Sequence, residues 1–309
     1  MERRDMKMTR TFDCIIIGGG IAGLQAAIQL GRYNHEVLII DAEDGRSTLC
    51  KSYHNILGYP DGISGDELRS LGKKHAENLG VKFIKSTVMA IKKEGNYFTA
   101  QTETDIIRSR KILIATGVMD NIPPFPELYP CLGVSVYLCP DCDGYEVKDK
   151  KTIVIGNGNV GANMAMTLMY WTKDILYINH GGEAVEEKLE KQLAANNIPI
   201  FTAKIKQVIA DDSQIKGYEL EDGKKIEAQS SFIAFGGNKV KSDLAVPLGV
   251  EIMANNHIIV NPRTKMTNID GVWAAGDVVA HSEQVTIAMG EGSQAAIWIH
   301  KALLQEGGK

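Results

Sequence analysis

The sequence predicts an α/β protein with two Rossmann-like dinucleotide-binding domains, of which the first is discontinuous and the second is inserted into it. Two glycine-rich loops, Gly18–Gly23 and Gly156–Gly161, each follow a short apolar run and precede a segment with helical apolar spacing. Continuous apolarity is typical of a parallel strand that is buried on both faces. The repeated order of strand, glycine loop and helix is that of the first turn in a dinucleotide-binding domain.

The first of these units is complete near the N-terminus. Residues 12–17 are predicted to form a strand, residues 21–32 a helix, and residues 36–40 a second strand that ends at Asp41. Glycines allow the helix N-terminus to approach a pyrophosphate closely. An acid about 20 residues after the glycines lies where a Rossmann domain binds ribose hydroxyls. Because all these features agree, the first unit is predicted to bind a dinucleotide.

The remaining elements give the order of the domains. Residues 112–117 and 232–237 have the pattern of buried strands that end in glycine, and the proline-rich stretch 121–126 cannot continue a helix or a central strand. We therefore predict that the chain crosses between domains beside them. The other predicted elements are strands at 152–155, 175–178 and 271–277 and a helix at 284–304. The predicted domains are 1–119 (first part), 120–244 (inserted, with the cysteine pair) and 245–309 (second part).

The composition narrows the class of protein. The chain has 309 residues, 44% of them hydrophobic and 23% charged, with a formal net charge of −4. These values are typical of a soluble globular protein, and the charge gives no reason to expect nucleic acid or an anionic membrane as a partner. No apolar run approaches the roughly 20 residues of a membrane span. The charged residues 1–10 lead into a strand rather than a signal-peptide core, which predicts a short flexible arm on a cytoplasmic protein.

A vicinal dithiol lies just before the second glycine loop, in the segment Cys139–Gly144 (Cys-Pro-Asp-Cys-Asp-Gly). The chain has five cysteines, and this odd number argues against a structural disulfide framework and favours a reducing compartment. A zinc site needs about four ligands. The sequence has no second Cys-x-x-Cys and no closely spaced histidine pair. We therefore predict no metal and a redox-active dithiol that exchanges electrons with a flavin or a hydride.

Five motifs in this order resemble those of the low-molecular-weight thioredoxin reductases, which are flavoproteins with two dinucleotide-binding domains. The resemblance extends from residue 12 to residue 304. It implies the fold of that family and FAD as the cofactor of the first domain. The motifs are Gly18–Gly23 with Asp41, residues 55–66 (Asn-Ile-Leu-Gly-Tyr-Pro-Asp-Gly-Ile-Ser-Gly-Asp), Ala115–Gly117, residues 137–144 and Ala274–Asp277.

The resemblance also implies which residues hold FAD. Gly18, Gly20 and Gly23 would contact its pyrophosphate, and Asp41 its adenosine ribose. Asp277 would bond the ribityl chain. The further positions that match cofactor contacts of the family are Arg46, Asn55, Val88, Thr116, Gly117, Gly276, Gln284 and Val285. For the two valines, packing in the core is an equally good interpretation.

Roles for the dithiol follow from the same resemblance. In the family the second cysteine faces the flavin and the first attacks the target disulfide, which makes Cys142 the flavin-proximal thiol and Cys139 the interchange thiol. The thiolate that is released needs a proton donor and acceptor beside it. Asp143 is placed for this role, with a pKa that burial would raise. Its alternative role is that of a turn residue before Gly144.

The second glycine loop is intact, but the sequence after it departs from the family. Gly156, Gly158 and Gly161 are predicted to bind a second nucleotide. Members that use NADPH carry a His-Arg-Arg run that clamps the 2′-phosphate, whereas residues 177–182 are Tyr-Ile-Asn-His-Gly-Gly. No arginine occurs anywhere in residues 111–262. The electron donor is therefore an open question.

Three interpretations of the donor remain. In the first, NADPH or NADH binds a variant site. Asn179, however, is not the acid that an NADH site prefers at the end of this strand. His180 could meet a phosphate, but a surface histidine is the simpler interpretation. Lys239 and Lys241 would then compensate as point charges only. In the second, pyridine nucleotide is not used and a ferredoxin supplies electrons. In the third, the second pocket holds another nucleotide, such as a second flavin.

The predicted function is that of an FAD-dependent, thioredoxin reductase-like disulfide oxidoreductase. Its predicted substrate is a thioredoxin-like protein or a small-molecule disulfide. A ferredoxin–NAD(P) reductase of the same fold lacks the dithiol, so Cys139 and Cys142 count against that class. A flavin redox sensor without turnover is the non-enzymatic alternative. The family further implies a homodimer.

Overall fold

A computed structural model describes residues 9–280 and 282–306 of the chain. The predicted N-terminal arm lies outside these residues except for its last two, which belong to the first strand. In the described residues the strands are β1 (Thr9–Ile17), β2 (Val37–Asp41), β3 (Lys82–Lys85), β4 (Ala90–Glu94), β5 (Tyr97–Gln101), β6 (Ile106–Ile114), β7 (Val118–Met119), β8 (Val136–Tyr137), β9 (Thr152–Gly156), β10 (Ile175–Asn179), β11 (Ile200–Phe201), β12 (Ile205–Asp211), β13 (Gln214–Leu220), β14 (Lys225–Glu227), β15 (Ser230–Ala234), β16 (Lys239–Val240) and β17 (Val272–Ala274). The helices are α1 (Ile21–Arg32), α2 (Gly65–Asn78), α3 (Pro140–Asp143), α4 (Gly158–Leu168), α5 (Glu187–Ala195) and α6 (Val285–Glu306).

The chain forms two compact units. Unit 1 comprises the described residues up to Thr48, Asp66–Met119 and the described residues from Lys239 onward; unit 2 comprises Leu49–Gly65 and Asp120–Asn238. The predicted domain boundaries stay a prediction, and the compact units differ from them in two places. The return to unit 1 comes earlier than residue 244, because β16 pairs antiparallel with β7. In addition, the early segment Leu49–Gly65 belongs to unit 2.

The sheet of unit 1 has the strand order β3-β2-β1-β6-β5-β4, and β17 also pairs with β6. The pairs among β1, β2, β3, β6 and β17 are parallel, whereas β4 and β5 form an antiparallel part. Ile17 aligns with Ile40 of β2 and with Ile114 of β6, and Ile114 aligns with Ala274 of β17. Parallel strands end at a common edge, so the segments after these four strands meet there.

Helices α1 and α6 pack against each other in the core of unit 1. Their contact is close at Gly292, where an added Cβ would lie 2.2 Å from Ala22 O. The bounds of α1 coincide with the helix predicted at residues 21–32. Although α6 is 22 residues long, neither it nor another helix within residues 9–280 and 282–306 is both long and apolar enough to cross a membrane.

Unit 2 contains a parallel five-stranded sheet with the order β11-β10-β9-β15-β8 and an antiparallel sheet with the order β12-β13-β14. At the carboxyl edge of the larger sheet, Gly156 of β9 aligns with Asn179 of β10 and with Ala234 of β15. Helix α4 begins directly after β9, as in unit 1 helix α1 begins after β1. The predicted fold class, with two Rossmann-like units, is confirmed.

The segment Leu49–Gly65 is held in unit 2 by backbone contacts. Lys51 N–H donates to Leu132 O at 2.9 Å. Cys50 Sγ occupies the space beside Gly133, where an added Cβ would lie 2.7 Å from the sulfur. This segment therefore belongs to unit 2, although the stretch that follows it, Asp66–Met119, belongs to unit 1.

Candidate functional site

The glycine-rich loop Gly18–Gly23 comprises the turn after β1 and the first residues of α1 in unit 1. Next to Gly20, which precedes the helix, no atom lies within 4 Å of the position that a Cβ would take. Gly18 and Gly23 instead contact backbone closely, since their added Cβ atoms would lie 2.4 Å from Ala115 O and 2.0 Å from Gly18 O. Gly18 also has a φ of 104°, which favours glycine. The N-terminus of α1 thus borders open space at Gly20, and the amides of a helix N-terminus are common ligands of a pyrophosphate.

Asp41 ends β2 beside this loop. An added Cβ at Gly19 would lie 2.7 Å from Asp41 Oδ2, so the carboxylate borders the glycine loop. Arg69 of α2 donates from Nη2 to Asp41 Oδ2 at 2.8 Å and from Nη1 to Ser47 Oγ at 3.3 Å. The guanidinium orients the carboxylate at the position predicted to bind ribose. Sequence reasoning missed Arg69, because an arginine on a largely polar helix carries no local signal.

Two further strand ends carry predicted cofactor residues. Thr116 follows β6 and donates from Oγ1 to a backbone carbonyl at 2.6 Å, and Gly117 has a φ of 70° and open space beside it. Asp277 follows β17. Arg46 Nη1 donates to Asp277 Oδ2 at 3.1 Å and to Glu283 Oε2 at 2.5 Å. The structure therefore brings together Arg46 and Asp277, which lie far apart in the sequence.

A buried ion pair supports the turn at Gly276. Glu291 of α6, which is 6% exposed, accepts from Gly276 N–H at 3.0 Å and from Lys265 Nζ at 2.6 Å. A buried carboxylate needs such partners, because burial of an unpaired charge is costly. The pair therefore fixes the backbone that leads to Asp277. In the sequence, the pair is indicated only by an acidic residue, Glu291, among the buried residues of α6.

The other predicted FAD positions have varied surroundings. Val88 is buried in a core cluster of unit 1, as expected for a packing residue. Gln284 and Val285 lie at the start of α6 and are half-buried. Asn55 belongs to unit 2 and is exposed. Their contacts with FAD stay predictions.

Cys139 directly precedes the single turn of α3, and Cys142 lies within it. Pro140 begins this helix, and the N–H groups of Cys142 and Asp143 donate to Cys139 O at 3.2 and 3.0 Å. Cys142 Sγ donates to Cys139 Sγ, and the two sulfur atoms are 2.6 Å apart. This hydrogen bond stabilises the thiolate and holds the pKa of Cys139 below its ordinary value. The structure thus places the Cys142 thiol beside a cysteine whose pKa is lowered.

Asp143 follows the dithiol directly. Burial raises its pKa to about 7, and the negative charge of Glu146 adds to the increase. His54 Nδ1 lies 3.8 Å from Glu146 Oε1. The glycine after Asp143 is required by packing, because an added Cβ at Gly144 would lie 2.5 Å from the Trp171 ring. A carboxyl group that titrates near neutrality is suited to both donate and accept a proton. Sequence reasoning missed Glu146 and His54, which have no local signal.

The other cysteines differ from Cys139 in acidity, and this difference predicts an order of chemical labelling. Burial raises the pKa of Cys50 to about 12, and it also raises the pKa of Cys14 and of Cys131. Only the thiolate reacts with iodoacetamide. At pH 7 we expect Cys139 of the reduced protein to be alkylated at least about tenfold faster than these three, because each pKa unit changes the thiolate fraction about tenfold. Peptide mass spectrometry measures the rates, and equal rates at Cys50 and Cys139 would contradict the expectation.

The second glycine loop is packed within unit 2. Added Cβ atoms would lie 2.3 Å from a backbone carbonyl of β15 at Gly156 and 2.3 Å from the Tyr177 ring at Gly161. Gly158 is buried, and its N–H donates to Asn179 Oδ1 at 3.0 Å. Close packing alone therefore explains why positions 156 and 161 require glycine. Binding of a second nucleotide by the three glycines stays a prediction.

Comparisons with known proteins agree with these features. A model of the family described as pyridine nucleotide-disulphide oxidoreductase matches residues 12–292. The chain is 29% identical to a thioredoxin reductase of Aquifex aeolicus over 305 residues, which are 95% of this chain and 94% of that protein. The crystal structure of HlmI has a TM-score of 0.87 at 27% identity and covers 98% of this chain and 96% of its own. The structure of the thioredoxin reductase of Streptococcus pyogenes has a TM-score of 0.85 at 25% identity, with 96% and 99% covered. The chain belongs to the pyridine nucleotide-disulphide oxidoreductase family, as an FAD-dependent disulfide oxidoreductase of the thioredoxin reductase type.

Proposed function

We propose that Cys139, Cys142 and Asp143 carry out thiol–disulfide exchange for this oxidoreductase. The observation that carries the proposal is the hydrogen bond from Cys142 Sγ to Cys139 Sγ beside a carboxyl group whose pKa is raised to about 7. A stabilised thiolate with a neighbouring thiol is the arrangement that attacks a disulfide and then resolves the product. A proton donor and acceptor beside the pair completes the chemistry.

Exchange with a substrate disulfide takes two displacement steps. The Cys139 thiolate attacks one sulfur of the substrate, so that a mixed disulfide forms and one substrate thiolate leaves. Cys142 Sγ then attacks Cys139 Sγ, which releases the second substrate thiolate and leaves a Cys139–Cys142 disulfide. The substrate gains the two electrons and two protons that the dithiol loses. The last step joins neighbouring sulfur atoms, because Cys139 directly precedes the single turn of α3 and Cys142 lies within it.

Asp143 is the proposed proton carrier for these steps. In its protonated form it delivers a proton to a leaving thiolate, and in its ionised form it takes the proton from the Cys142 thiol. With a pKa of about 7, both forms are populated at neutral pH. The turn that ends at Gly144, against the ring of Trp171, holds the carboxyl group next to the pair.

Most of the proposed FAD ligands lie at the carboxyl edge of the unit 1 sheet. Amides of the loop Gly18–Gly23 bind the pyrophosphate, and Asp41 binds a ribose. Asp277, which Arg46 orients, binds the ribityl chain, and Gly276 is held for this purpose by Glu291. Bound FAD supplies or accepts the electron pair that the dithiol exchanges. The other proposed ligands are Asn55, Val88, Thr116, Gly117, Gln284 and Val285.

The proposed substrate is a disulfide of a thioredoxin-like protein, with a small-molecule disulfide as the alternative. Relatives that are named thioredoxin reductases support the first. A ferredoxin is the proposed electron donor if pyridine nucleotide is not used. The odd number of cysteines supports a reducing, cytoplasmic compartment. The proposal includes a homodimer, which the resemblance to the family implies.

The test is the pH dependence of a single turnover. The fully reduced protein, prepared with dithionite and freed of the excess, is mixed anaerobically with an oxidised thioredoxin, and the flavin absorption band is followed. We expect the rate constant to fall as the pH rises through about 7, because Asp143 then loses the proton that it delivers. Glu146→Gln removes a neighbouring negative charge, so it should lower the pKa of Asp143 and move this midpoint to lower pH.

The matched control is Glu190→Gln, which neutralises an exposed carboxylate on α5 of the same unit. It should leave the midpoint unchanged. A midpoint that stays near 7 in Glu146→Gln would contradict the role of Asp143. Failure of the reduced protein to reoxidise with any disulfide would contradict the proposed function itself.

A further inference from the structure

The chain that follows β10 covers the second glycine loop. We call residues Gly181–Glu186 the plug. Asn179, the buried last residue of β10, accepts with Oδ1 from Gly158 N–H at 3.0 Å and from Gly182 N–H at 3.2 Å, and its Nδ2 donates to Glu183 O at 2.8 Å. The Gly158 amide belongs to the N-terminus of α4, where a nucleotide-binding loop presents its donors to phosphate. Here the chain itself accepts the hydrogen bond.

The plug also occupies space that a ligand would need. An added Cβ at Gly158 would lie 3.0 Å from Glu183 Cβ, 3.4 Å from Glu183 Oε2 and 3.3 Å from Ala184 O. The equivalent position at Gly20, before α1 in unit 1, has no atom within 4 Å. A glycine in such a loop leaves room for the pyrophosphate. The same chain therefore has one loop with open space and one loop whose space its own Glu183 fills.

Two asparagines of the loop fasten the plug. Asn157 Oδ1 accepts from Glu183 N–H at 3.1 Å. Asn159 Oδ1 accepts from Glu186 N–H at 2.8 Å, and its Nδ2 donates to Glu186 Oε1 at 2.7 Å. Together with the bonds of Asn179 to Gly158, Gly182 and Glu183, these contacts join both ends of the plug to the loop. The loop asparagines are thus engaged with protein backbone and carboxylate.

Charge at this end of α4 opposes a second anion. The plug brings the carboxylates of Glu183 and Glu186 to the N-terminus of α4. These negative charges already interact favourably with the helix dipole, so a further anion would be repelled by them. His180 does not offset them, since burial and the charge of Lys204 lower its pKa. Its Nδ1 accepts a hydrogen bond from Ile205 N–H at 2.8 Å, which is a structural contact. A phosphate at this position would meet the carboxylates of Glu183 and Glu186.

No guanidinium is available in unit 2 for a 2′-phosphate. Neither segment of this unit contains an arginine. The two lysines that sequence reasoning offered as substitutes belong to unit 1. There Lys239 Nζ lies 3.1 Å from Asp243 Oδ2, and Lys241 Nζ lies 2.9 Å from Asp44 Oδ1. Both cations therefore have carboxylate partners of their own.

We propose that the plug Gly181–Glu186 closes the second dinucleotide pocket, so that this chain binds neither NADPH nor NADH there. Unit 2 keeps the Rossmann-like frame, and its remaining task is to carry the dithiol. This inference rests on the proposed function only in assigning that task to unit 2. The closure itself rests on the contacts of the plug.

The test uses the full-length protein with FAD bound. Hydrogen–deuterium exchange should show the Gly158 and Gly182 amides protected without nucleotide, and addition of NADPH or NADH at about 1 mM should not change the exchange of residues 156–161. Equilibrium dialysis should find occupancy by either nucleotide below about a tenth at that concentration. Saturable binding, or new protection of residues 156–161 by nucleotide, would overturn the proposal. Fast exchange of both amides in the free protein would do so as well.

A variant that loosens the plug gives a second readout. Asn159→Ala with Glu186→Ala removes two of its attachments, and the Gly158 amide should then exchange at least about tenfold faster. Glu190→Ala, an exposed change on α5, is the matched control and should leave the exchange unchanged. An unchanged exchange rate of the Gly158 amide in the double variant would show that Asn159 and Glu186 do not hold the plug on the loop, and would overturn the proposal.

The same preparation separates this proposal from the proposed function. After reduction by dithionite, each sample is mixed with an oxidised thioredoxin and flavin reoxidation is measured. A protein that reoxidises and also binds NADPH overturns the closure and leaves the exchange chemistry intact. A protein that neither binds nucleotide nor reoxidises supports the closure and contradicts the proposed function.

Discussion

Cys139→Ser should abolish turnover with disulfides while FAD stays bound. A serine hydroxyl is not ionised at neutral pH, whereas the Cys139 thiol has a lowered pKa through its hydrogen bond from Cys142. Loss of the nucleophile should reduce the single-turnover rate by at least about 10³-fold. The FAD ligands proposed in unit 1 are unchanged, so the flavin-to-protein ratio should equal that of the unaltered protein.

Cys50→Ser is the matched control for this substitution. Cys50 lies in the same unit, and its Sγ donates to Ser52 O at 3.2 Å, a bond that a serine hydroxyl can also make. Because burial raises the pKa of Cys50 to about 12, its loss should leave the turnover rate unchanged. The two rates are compared in the anaerobic assay with dithionite-reduced protein. Undiminished turnover by Cys139→Ser would remove this residue from the mechanism.

Gly23→Ala should weaken the binding of FAD and lower the stability of the protein. The added Cβ would lie 2.0 Å from Gly18 O and 3.2 Å from Ile16 Cγ2, so the glycine loop and α1 would have to move apart. Overpacking of this kind lowers the free energy of unfolding by about 1–3 kcal/mol. The movement also displaces the amides that are proposed to bind the pyrophosphate. We expect the flavin-to-protein ratio after gel filtration to fall at least about tenfold, which corresponds to about 1.4 kcal/mol of binding.

Gly290→Ala provides the comparison within a helix. Gly290 is exposed on α6, and no atom lies within 4 Å of its added Cβ. Alanine also has the higher helix propensity, so this variant should keep its FAD and unfold at the same or a slightly higher temperature. Flavin absorbance and thermal unfolding measure both effects. Full FAD content in Gly23→Ala would show that the loop tolerates displacement and that the pyrophosphate is bound elsewhere.

Local patterns explain why the frame of both units could be predicted from sequence. Residues 14–17 are continuously apolar because β1 is buried on both faces, and the helix predicted at residues 21–32 has the same bounds as α1. The dithiol has a spacing of three residues, which one turn of helix brings together. Information of this kind is contained within a short window of sequence.

The partners of the site residues could not be predicted in this way. Arg69 reaches Asp41 from another helix, and Glu291 reaches Gly276 from α6. Glu146 and His54 come together from segments far apart in the chain. Such pairs depend on tertiary packing, so no periodicity or spacing in the sequence marks them. The plug is similar, since Gly181–Glu186 has the composition of an ordinary loop, and only its contacts show what it covers.

The division of the chain also sets an order of maturation during synthesis. The last residue of unit 2 is Asn238, so this unit has emerged in full before β17 and α6 have been made. Domains fold as units while the chain is being synthesised. The dithiol unit can therefore finish folding first, whereas the sheet of unit 1 must wait for the strand that precedes Asp277. Loading of FAD is then a late event, and the cysteine pair is folded before its redox cofactor arrives.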